Sequence, residues 1–325
     1  MSNDFYRTFE EQFRGSRELI KSRLEVYLPF IQPFLKVYPE VDALDLGCGR
    51  GEWLELLSNC GFRAKGIDLD IGMLEACHTI GLNVEQGDAF DYLASLPDES
   101  MVIISAFHVV EHITFEKLQT FIAEAFRVLK PGGLLIMETP NPENIVVATS
   151  SFYIDPTHQR PIPPVLLSFL SEYVGFARVK ILRLQESKEY LNKDEVNLRD
   201  VFFGVSPDYA VVAQKYAEKD IMLLTNNAFD REYGVSLDDV LSRWDYSFQK
   251  IKNKLYQVET KFEQAEIRAQ QAEIRAQQAE AKTEHAIGLS EQYLLQLQSV
   301  YQSTSWRLTA PLRNIRTLIL MRGKK

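Results

Sequence analysis

Cysteine is scarce in this chain: 325 residues contain only Cys48, Cys60 and Cys77. They are odd in number, never spaced CxxC, and no signal peptide precedes them. A disulfide framework or a zinc ribbon is therefore not expected, and the natural compartment is a reducing cytoplasm. Long apolar runs are missing too. None approaches the ~18–20 residues of a membrane span, so the protein is expected to be soluble or to lie on a membrane surface. Positive charge is in deficit, with 36 Lys and Arg against 45 Asp and Glu. What basic excess exists is concentrated at one end: residues 306–325 carry six basic groups and no acid, leaving −15 on the preceding 305 residues. An acidic body excludes the basic face that a nucleic-acid enzyme needs, so no nucleic-acid partner is expected.

The patterning that is present divides the chain in two. From Val41 to about Lys215, strand-length apolar runs (41–46, 62–68, 82–85, 101–107, 133–139, 177–184 and 208–215) alternate with helical patterns (51–60, 71–80 and 115–129). Such alternation predicts an α/β fold whose parallel sheet is covered by helices on both faces. Residues 1–37 have a helical pattern, with Ser16 as an N-cap and Leu19, Ile20, Leu24, Tyr27, Leu28 and Ile31 at 3.6-type spacing. Residues 140–165 are Pro-rich and irregular, a candidate substrate loop.

Beyond a linker at 218–235 the period changes. From Leu241 to Val300, 18 positions alternate spacings of three and four, and 16 of them are apolar. QAEIRAQ occurs twice in succession, at 264–270 and 271–277, and the 60 residues hold no proline. Unbroken heptads of this length predict a coiled coil over 236–302, a rod of ~90 Å that makes the protein a homodimer or homotrimer. A lone solvated helix is the alternative.

The strongest local motif is Val41–Trp53, VDALDLGCGRGEW. An apolar strand ends at Asp45, and Gly47, Gly49 and Gly51 then open a helix, as a tight turn touching a ligand requires. A dinucleotide fingerprint would place its third glycine at position 52, which is Glu52. Asp45 and Glu52 would repel a pyrophosphate but accept a ligand bearing an ammonium and a sulfonium. Gly66-Ile67-Asp68 ends the second strand, where a carboxylate can take ribose hydroxyls. Gly87-Asp88-Ala89 follows the third, and Leu129-Lys130-Pro131-Gly132-Gly133 turns into the fifth. Over about residues 35–217 these four pieces resemble the class I S-adenosylmethionine-dependent methyltransferases. The resemblance implies a Rossmann-like seven-stranded sheet with a last antiparallel strand. It also implies S-adenosyl-L-methionine as cofactor, with Asp45 and Gly47 near the methionine moiety, Asp68 on the ribose and Asp88 with Ala89 at the adenine, and with Gly49, Gly51, Leu69 and Phe107 among the cofactor-binding residues.

Arg23 has Leu19, Ile20, Val26 and Tyr27 at i±3 and i±4, which predicts a buried guanidinium needing an anion. The cofactor carboxylate and a structural acid are both candidates. His108-Val-Val-Glu111-His112 matches the zinc motif HxxEH, but no third ligand is evident and no metal is expected. Glu111 and His112 instead line the acceptor side or orient the strand end. The loop FYIDPTHQRPIP, 152–163, gathers Asp155, His158 and Arg160. Transfer to a hydroxyl gains ~10²–10⁴-fold from a general base, and His158 oriented by Asp155 is the first candidate, with a His satisfied by backbone as the alternative.

The RGSRELIKSRL helix, the NPENI…FYIDPTHQRPIP loop and the C-terminal coil together resemble the methyltransferases that terminate bacterial O-antigen chains in lipopolysaccharide biosynthesis. Some of those carry a kinase domain between methyltransferase and coil, whereas here about twenty residues separate the last strand from the rod. That departure favours a sugar hydroxyl over a phosphate. The implied acceptor is a lipid-linked polysaccharide and the implied location the inner-membrane surface. Within 303–325, Leu308, Leu312, Ile315 and Ile319 form an apolar stripe flanked by arginines, suited to a membrane interface or to docking on another polypeptide such as a glycosyltransferase. A small-molecule methyltransferase on a coiled coil and a non-catalytic scaffold are the alternative readings.

Overall fold

The computed structural model of the chain describes residues 15–313 apart from 192 and 194. Residues up to Phe248 form one compact unit and those from Gln249 a second. The first is built on seven strands: β1 (Asp42–Leu46), β2 (Arg63–Asp68), β3 (Val84–Gln86), β4 (Met101–Phe107), β5 (Leu129–Pro140), β6 (Arg178–Leu184) and β7 (Asp208–Gln214). Their order is β3-β2-β1-β4-β5-β7-β6. β1 to β5 pair in parallel, and β7 runs antiparallel to both β5 and β6. The order reverses between β1 and β4. In open α/β sheets a ligand crevice lies at that switch, outside the carboxyl ends of the strands.

Alternation along each strand divides the core. Ala43, Ile103, Leu134, Ile136 and Val212 pack on one face, while Leu44, Ile104, Leu135, Met137 and Val211 pack on the other. The first face is covered by α1 (Arg17–Leu24), by the short turns that follow it and by α2 (Glu52–Cys60). α4 (Ala89–Ser95), α5 (Phe115–Val128) and α6 (Pro164–Val174) cover the second; α3 (Ile71–Thr79) packs beside β2 and β3. Both faces are dry, as expected for near-continuous apolar strands.

Several expectations are corrected. Ser16 caps α1 as the sequence predicts, its Oγ accepting from Leu19 N. The continuous helix to residue 37 does not form. α1 stops at Leu24, a 3₁₀ turn spans Glu25–Tyr27, and Leu28–Ile31 and Gln32–Lys36 follow as separate turns. Pro29 and Pro33 each stand in the first turn of one of these pieces, where a missing N–H is tolerated but a continuous helix is not. Residues 1–14 lie outside the described part. The Leu129–Gly133 segment already pairs with β4, with a register irregularity between Met101 and Ile103. The Pro-rich stretch contains helix Ile145–Thr149 and ends at α6, started by Pro164. Within 218–235, helices Lys219–Leu223 and Asn226–Asp230 pack down: Phe229 lies edge-on to Phe30, with centroids 5.2 Å apart.

α7 runs unbroken from Leu237 to Gln302. Its first turns belong to the first unit, where Val240 and Trp244 join a small core with Val201 and Val205. From Gln249 on, nearly every side chain is exposed. A short helix, Thr304–Leu308, follows, capped by Ser303. Arg313 stacks 3.6 Å above the Trp306 ring; Ile315, Arg316, Ile319, Arg322, Lys324 and Lys325 lie outside the described residues. Among the described residues no helix is long and apolar enough to cross a membrane.

Candidate active site

A cavity of about 810 Å³ opens at the carboxyl edge of the sheet, at the β1/β4 switch. One half is made by the glycine loop. Gly47 (φ +72°), Gly49 (+49°) and Gly51 (+75°) all take left-handed backbone. The loop is tied to the end of β2: Gly47 N and Cys48 N donate to Ile67 O, and Gly49 N donates to Asp68 Oδ2 at 2.8 Å. Asp68 Oδ1 accepts from Asp70 N at 2.9 Å, so both carboxylate oxygens are braced by backbone. Asp45 is buried and accepts from Ser105 Oγ at 2.7 Å. Asp88 caps α4 through one oxygen, Oδ1, accepting from Phe90 N and Asp91 N.

Asp45, Gly47, Gly49, Asp68, Leu69, Asp88, Ala89 and Phe107 all line this half. Gly51 does not. Its missing Cβ would meet Leu82 and Cys77 within 3 Å, so the glycine is required by packing of the helix start. Tyr27, Trp53 and Phe107 form an aromatic trio with centroids 5.3–5.9 Å apart, through which the N-terminal turns close over the cavity. Arg23 also lines the cavity, but it is exposed rather than buried. Because α1 ends one residue later, the apolar neighbours that i±3 and i±4 counting assigned to it do not form one buried face.

The other half is built by the far ends of β4 to β7 and by the Pro-rich loop. His108, directly after β4, is held at φ +54°, and Gln185, directly after β6, at +67°. Side-chain residues in this region are strained, and two of them in one cavity wall mark a site whose geometry the fold enforces. Glu138 is nearly buried and accepts from Gln185 Nε2 at 2.8 Å and from Tyr27 Oη. His108 sits between carboxylates, Nδ1 3.2 Å from Glu111 Oε1 and Nε2 3.6 Å from Glu138 Oε1. Burial pulls its pKa down, but the two carboxylates outweigh that and hold it well above the ordinary imidazole value. Burial opposes ionisation of Glu111 likewise, and His108 reverses it, keeping the carboxyl below its usual range.

His112 and His158 come together with centroids 4.7 Å apart. Asp155 does not orient His158 as expected: His158 Nε2 lies 3.9 Å from Asp155 Oδ2, beyond a hydrogen bond. Instead His158 Nδ1 donates to the Phe152 carbonyl at 2.6 Å. Asp155 is committed to its own turn, accepting from Thr157 N at 2.8 Å and Thr157 Oγ1 at 2.6 Å. With its one proton given to Asp155, Thr157 Oγ1 can only accept from His112 Nδ1, 2.9 Å away. In their neutral forms both imidazoles therefore carry the proton on Nδ1, which leaves the lone pair on Nε2. Burial, reinforced by His158 and opposed by Glu111 and Asp155, lowers the pKa of His112. Glu111 itself does not line the cavity but lies fully buried behind it.

The chain is similar to proteins of one family. A family described as a methyltransferase domain matches residues 44–137. A crystallised SAM-dependent methyltransferase from Archaeoglobus fulgidus is 35% identical, with a TM-score of 0.58, and is matched over 65% of this chain and 100% of its own. The chain belongs to the S-adenosylmethionine-dependent methyltransferases. A probable S-adenosylmethionine-dependent methyltransferase of Mycolicibacterium smegmatis is 30% identical over 138 residues, 42% of this chain and 51% of the relative. A ubiquinone biosynthesis O-methyltransferase of Bradyrhizobium sp. is 34% identical over 104 residues, 30% of this chain and 39% of the relative. The methyltransferase thus spans about half the length, or less, of these curated relatives.

The residues present fit the cofactor on three counts. At Gly47 a Cβ would approach Val109 Cγ2 to 2.5 Å, so the loop admits only bare backbone beside the cavity. The Trp53 indole N–H is buried in the cavity wall with no acceptor among the described residues. Asp45, Glu52, Asp68 and Asp88 supply an acidic lining that suits a cationic ligand. The signals of this half are local in sequence. Trp53, Glu138, Gln185 and Asp208 carry no such signal. A carboxylate at the end of β5 and another at the start of the antiparallel β7 reach the same edge, a signal available only once strand directions are known. Similarly, His158, 46 residues downstream of His112, joins Glu111 and His112 in one cluster, while His108 falls in another with Glu138 and Asp208.

Proposed function

We propose that the methyltransferase transfers a methyl group to a sugar hydroxyl at the end of a bacterial surface polysaccharide, an O-antigen chain, and so stops its extension. The observation that carries this reading is the acceptor wall. Arg23, His108, His112, Glu138, His158, Gln185 and Asp208 line it. Carboxylates and amides that reach a cavity in this density match the paired hydroxyls of a sugar better than an aromatic or isoprenoid ring. The second reading, a small metabolite acceptor, draws on the similarity to a ubiquinone biosynthesis O-methyltransferase. It leaves the polar wall and the 66-residue helix without a use.

S-adenosylmethionine, held on the glycine-loop half, supplies a methyl on a sulfonium. His158, its Nδ1–H fixed on the Phe152 carbonyl, presents Nε2 to take the hydroxyl proton. Glu138 and Asp208 orient the sugar, and the aromatic trio under the N-terminal turns excludes water. The basic tail is assigned to the inner-membrane surface or to an assembly partner, where the polymer is made.

The test is incubation of the full chain with labelled donor and, in parallel, lipid-linked or synthetic oligosaccharides and a catechol. Mass spectrometry should map one methyl to the terminal sugar. Labelling of the catechol alone overturns the polysaccharide reading. His158→Ala should lower turnover with little change in affinity for S-adenosylhomocysteine.

A further inference from the structure

We propose that Glu111, His112 and His158 bind a divalent transition-metal ion in the acceptor wall. Their ligand atoms all lie within 4.8 Å of one another. Glu111 Oε1 is 4.0 Å from His158 Nε2. Ligands at ~2.0–2.2 Å from one ion sit ~3–3.5 Å apart, so closing on a metal requires shifts below ~1 Å.

The surroundings are those of metal-ligating side chains, whose second ring nitrogen is spoken for. His158 Nδ1 donates to the Phe152 carbonyl at 2.6 Å, and His112 Nδ1 to Thr157 Oγ1 at 2.9 Å, backed by Asp155. In the neutral rings both tautomers therefore leave Nε2 as the ligand atom, and that of His158 lies 4.0 Å from Glu111 Oε1. The remaining oxygen of Glu111, Oε2, is anchored by Thr139 Oγ1 at 2.9 Å. His108 Nδ1, 3.2 Å from Oε1, shares that oxygen with the ion. Two imidazoles and one carboxylate select ions such as Mn²⁺, Fe²⁺ or Zn²⁺ over Mg²⁺ and Ca²⁺, which prefer all-oxygen sites. Because His112 and His158 line the cavity, coordination positions remain on the cavity side.

The inference rests on the reading of this wall as the acceptor side. A hydroxyl bound to the ion becomes more acidic. Its O–H bond breaks, the proton leaves to water and the electron pair stays on oxygen at the metal. His158 then serves as a ligand, and the ion takes over the work of the imidazole base. The Pro-rich loop thus supplies the third member of the set, and His108 stays outside it.

The test uses the full chain, stripped with a chelator and titrated with Mn²⁺ while the free-ion signal is followed by electron paramagnetic resonance. Zn²⁺ content is measured separately by plasma mass spectrometry. One ion per chain is expected, and His112→Ala or His158→Ala should each weaken binding by at least ~100-fold, more than loss of a supporting group does. His78→Ala and His285→Ala, at exposed positions, should leave it unchanged. Unaltered S-adenosylhomocysteine affinity verifies that each variant is folded. Absence of ion binding, or binding indifferent to His112 and His158, overturns the metal site. If the stripped protein still methylates oligosaccharide, the ion's part in activating the hydroxyl is overturned and the proposed function stands. If one ion binds but no oligosaccharide is methylated, the acceptor reading fails and the site stands.

Discussion

Asp208 is the first residue of β7, a strand-edge position that no motif announces. Its carboxylate accepts no hydrogen bond from any described residue, and burial pushes its pKa up to about 6. His108 and Arg23 offset this in part, while Glu138 and Glu111 add to it. Between the unfolded value near 4 and about 6, the folded protein binds a proton that the unfolded chain lacks. Stability therefore declines as pH rises through that window and stays reduced above it. A carboxyl moved from near 4 to about 6 corresponds to on the order of 3 kcal/mol. Asp208→Asn should accordingly raise the melting temperature at pH 7.5, and the gain should vanish at pH 4. Its KM for the acceptor should rise, as expected of a carboxylate kept at a cost for binding. Equal melting temperatures at pH 7.5 would remove the argument. Asp68 is the opposite case, a carboxylate braced on both oxygens by Gly49 N and Asp70 N. It lines the glycine-loop half of the cavity, and if it takes the ribose, as the resemblance implies, Asp68→Ala should weaken S-adenosylhomocysteine binding by about 30–150-fold in calorimetry.

Elements were legible in proportion to how local their cause is. β4 and β7 follow from unbroken apolar runs, MVIISAF and YAVVAQ, and were located to within a residue. The glycine loop announces itself because left-handed backbone demands glycine at fixed spacing. α1 was overextended because helical periodicity persists through Pro29 and Pro33, while the chain answers with 3₁₀ turns that keep Tyr27, Phe30 and Phe34 buried. α6 was missed because Pro163 and Pro164 suggested irregularity, although Pro at a first turn starts helices. Of the acceptor wall, Arg23, His112, Asp155 and His158 are legible in sequence, with Glu111 buried behind them, whereas His108, Glu138, Gln185 and Asp208 are brought together from four strand ends far apart in sequence. The segment taken for a linker offers its own prediction. Gly234, at φ +64°, lies where a Cβ would be 2.2 Å from Arg183 O and 2.5 Å from Ser206 Oγ. Gly234→Ala should cost about 3 kcal/mol, backbone strain plus a clash against strand β6 that cannot retreat. Gly81→Ala, also left-handed (φ +77°) but with nothing within 4 Å, should cost only about 1–2 kcal/mol. Denaturant melts of the two variants separate strain from clash, and equal losses would contradict the packing of 225–236 onto the sheet.

At the scale of the whole molecule the second unit poses a solvation problem. Ile251, Leu255, Val258 and Phe262 are 58–65% exposed near one end of its seam, and Tyr293, Leu297 and Val300 are 47–64% exposed near the other. A monomer rarely keeps large apolar side chains aligned at three-and-four spacing in water. Burying each fully is worth about 1.5–3 kcal/mol, whereas the alanines from Ala265 to Ala286 bring little burial and mainly allow close approach. Association energy should therefore concentrate at the two ends. The expected state is a parallel assembly of two or three chains, since parallel register alone sets Leu against Leu and Ala against Ala along the whole seam. Light scattering at micromolar concentration should report a dimer or trimer. Substituting Leu255→Asp together with Phe262→Asp places buried charges in every copy and should yield monomers, while a double Ala272→Asp, Ala279→Asp variant should lose less. S-adenosylhomocysteine affinity should stay unchanged in both, because these positions belong to the second unit. A wild-type chain that scatters as a monomer would remove the coiled coil, and with it the reason for the heptad repeat.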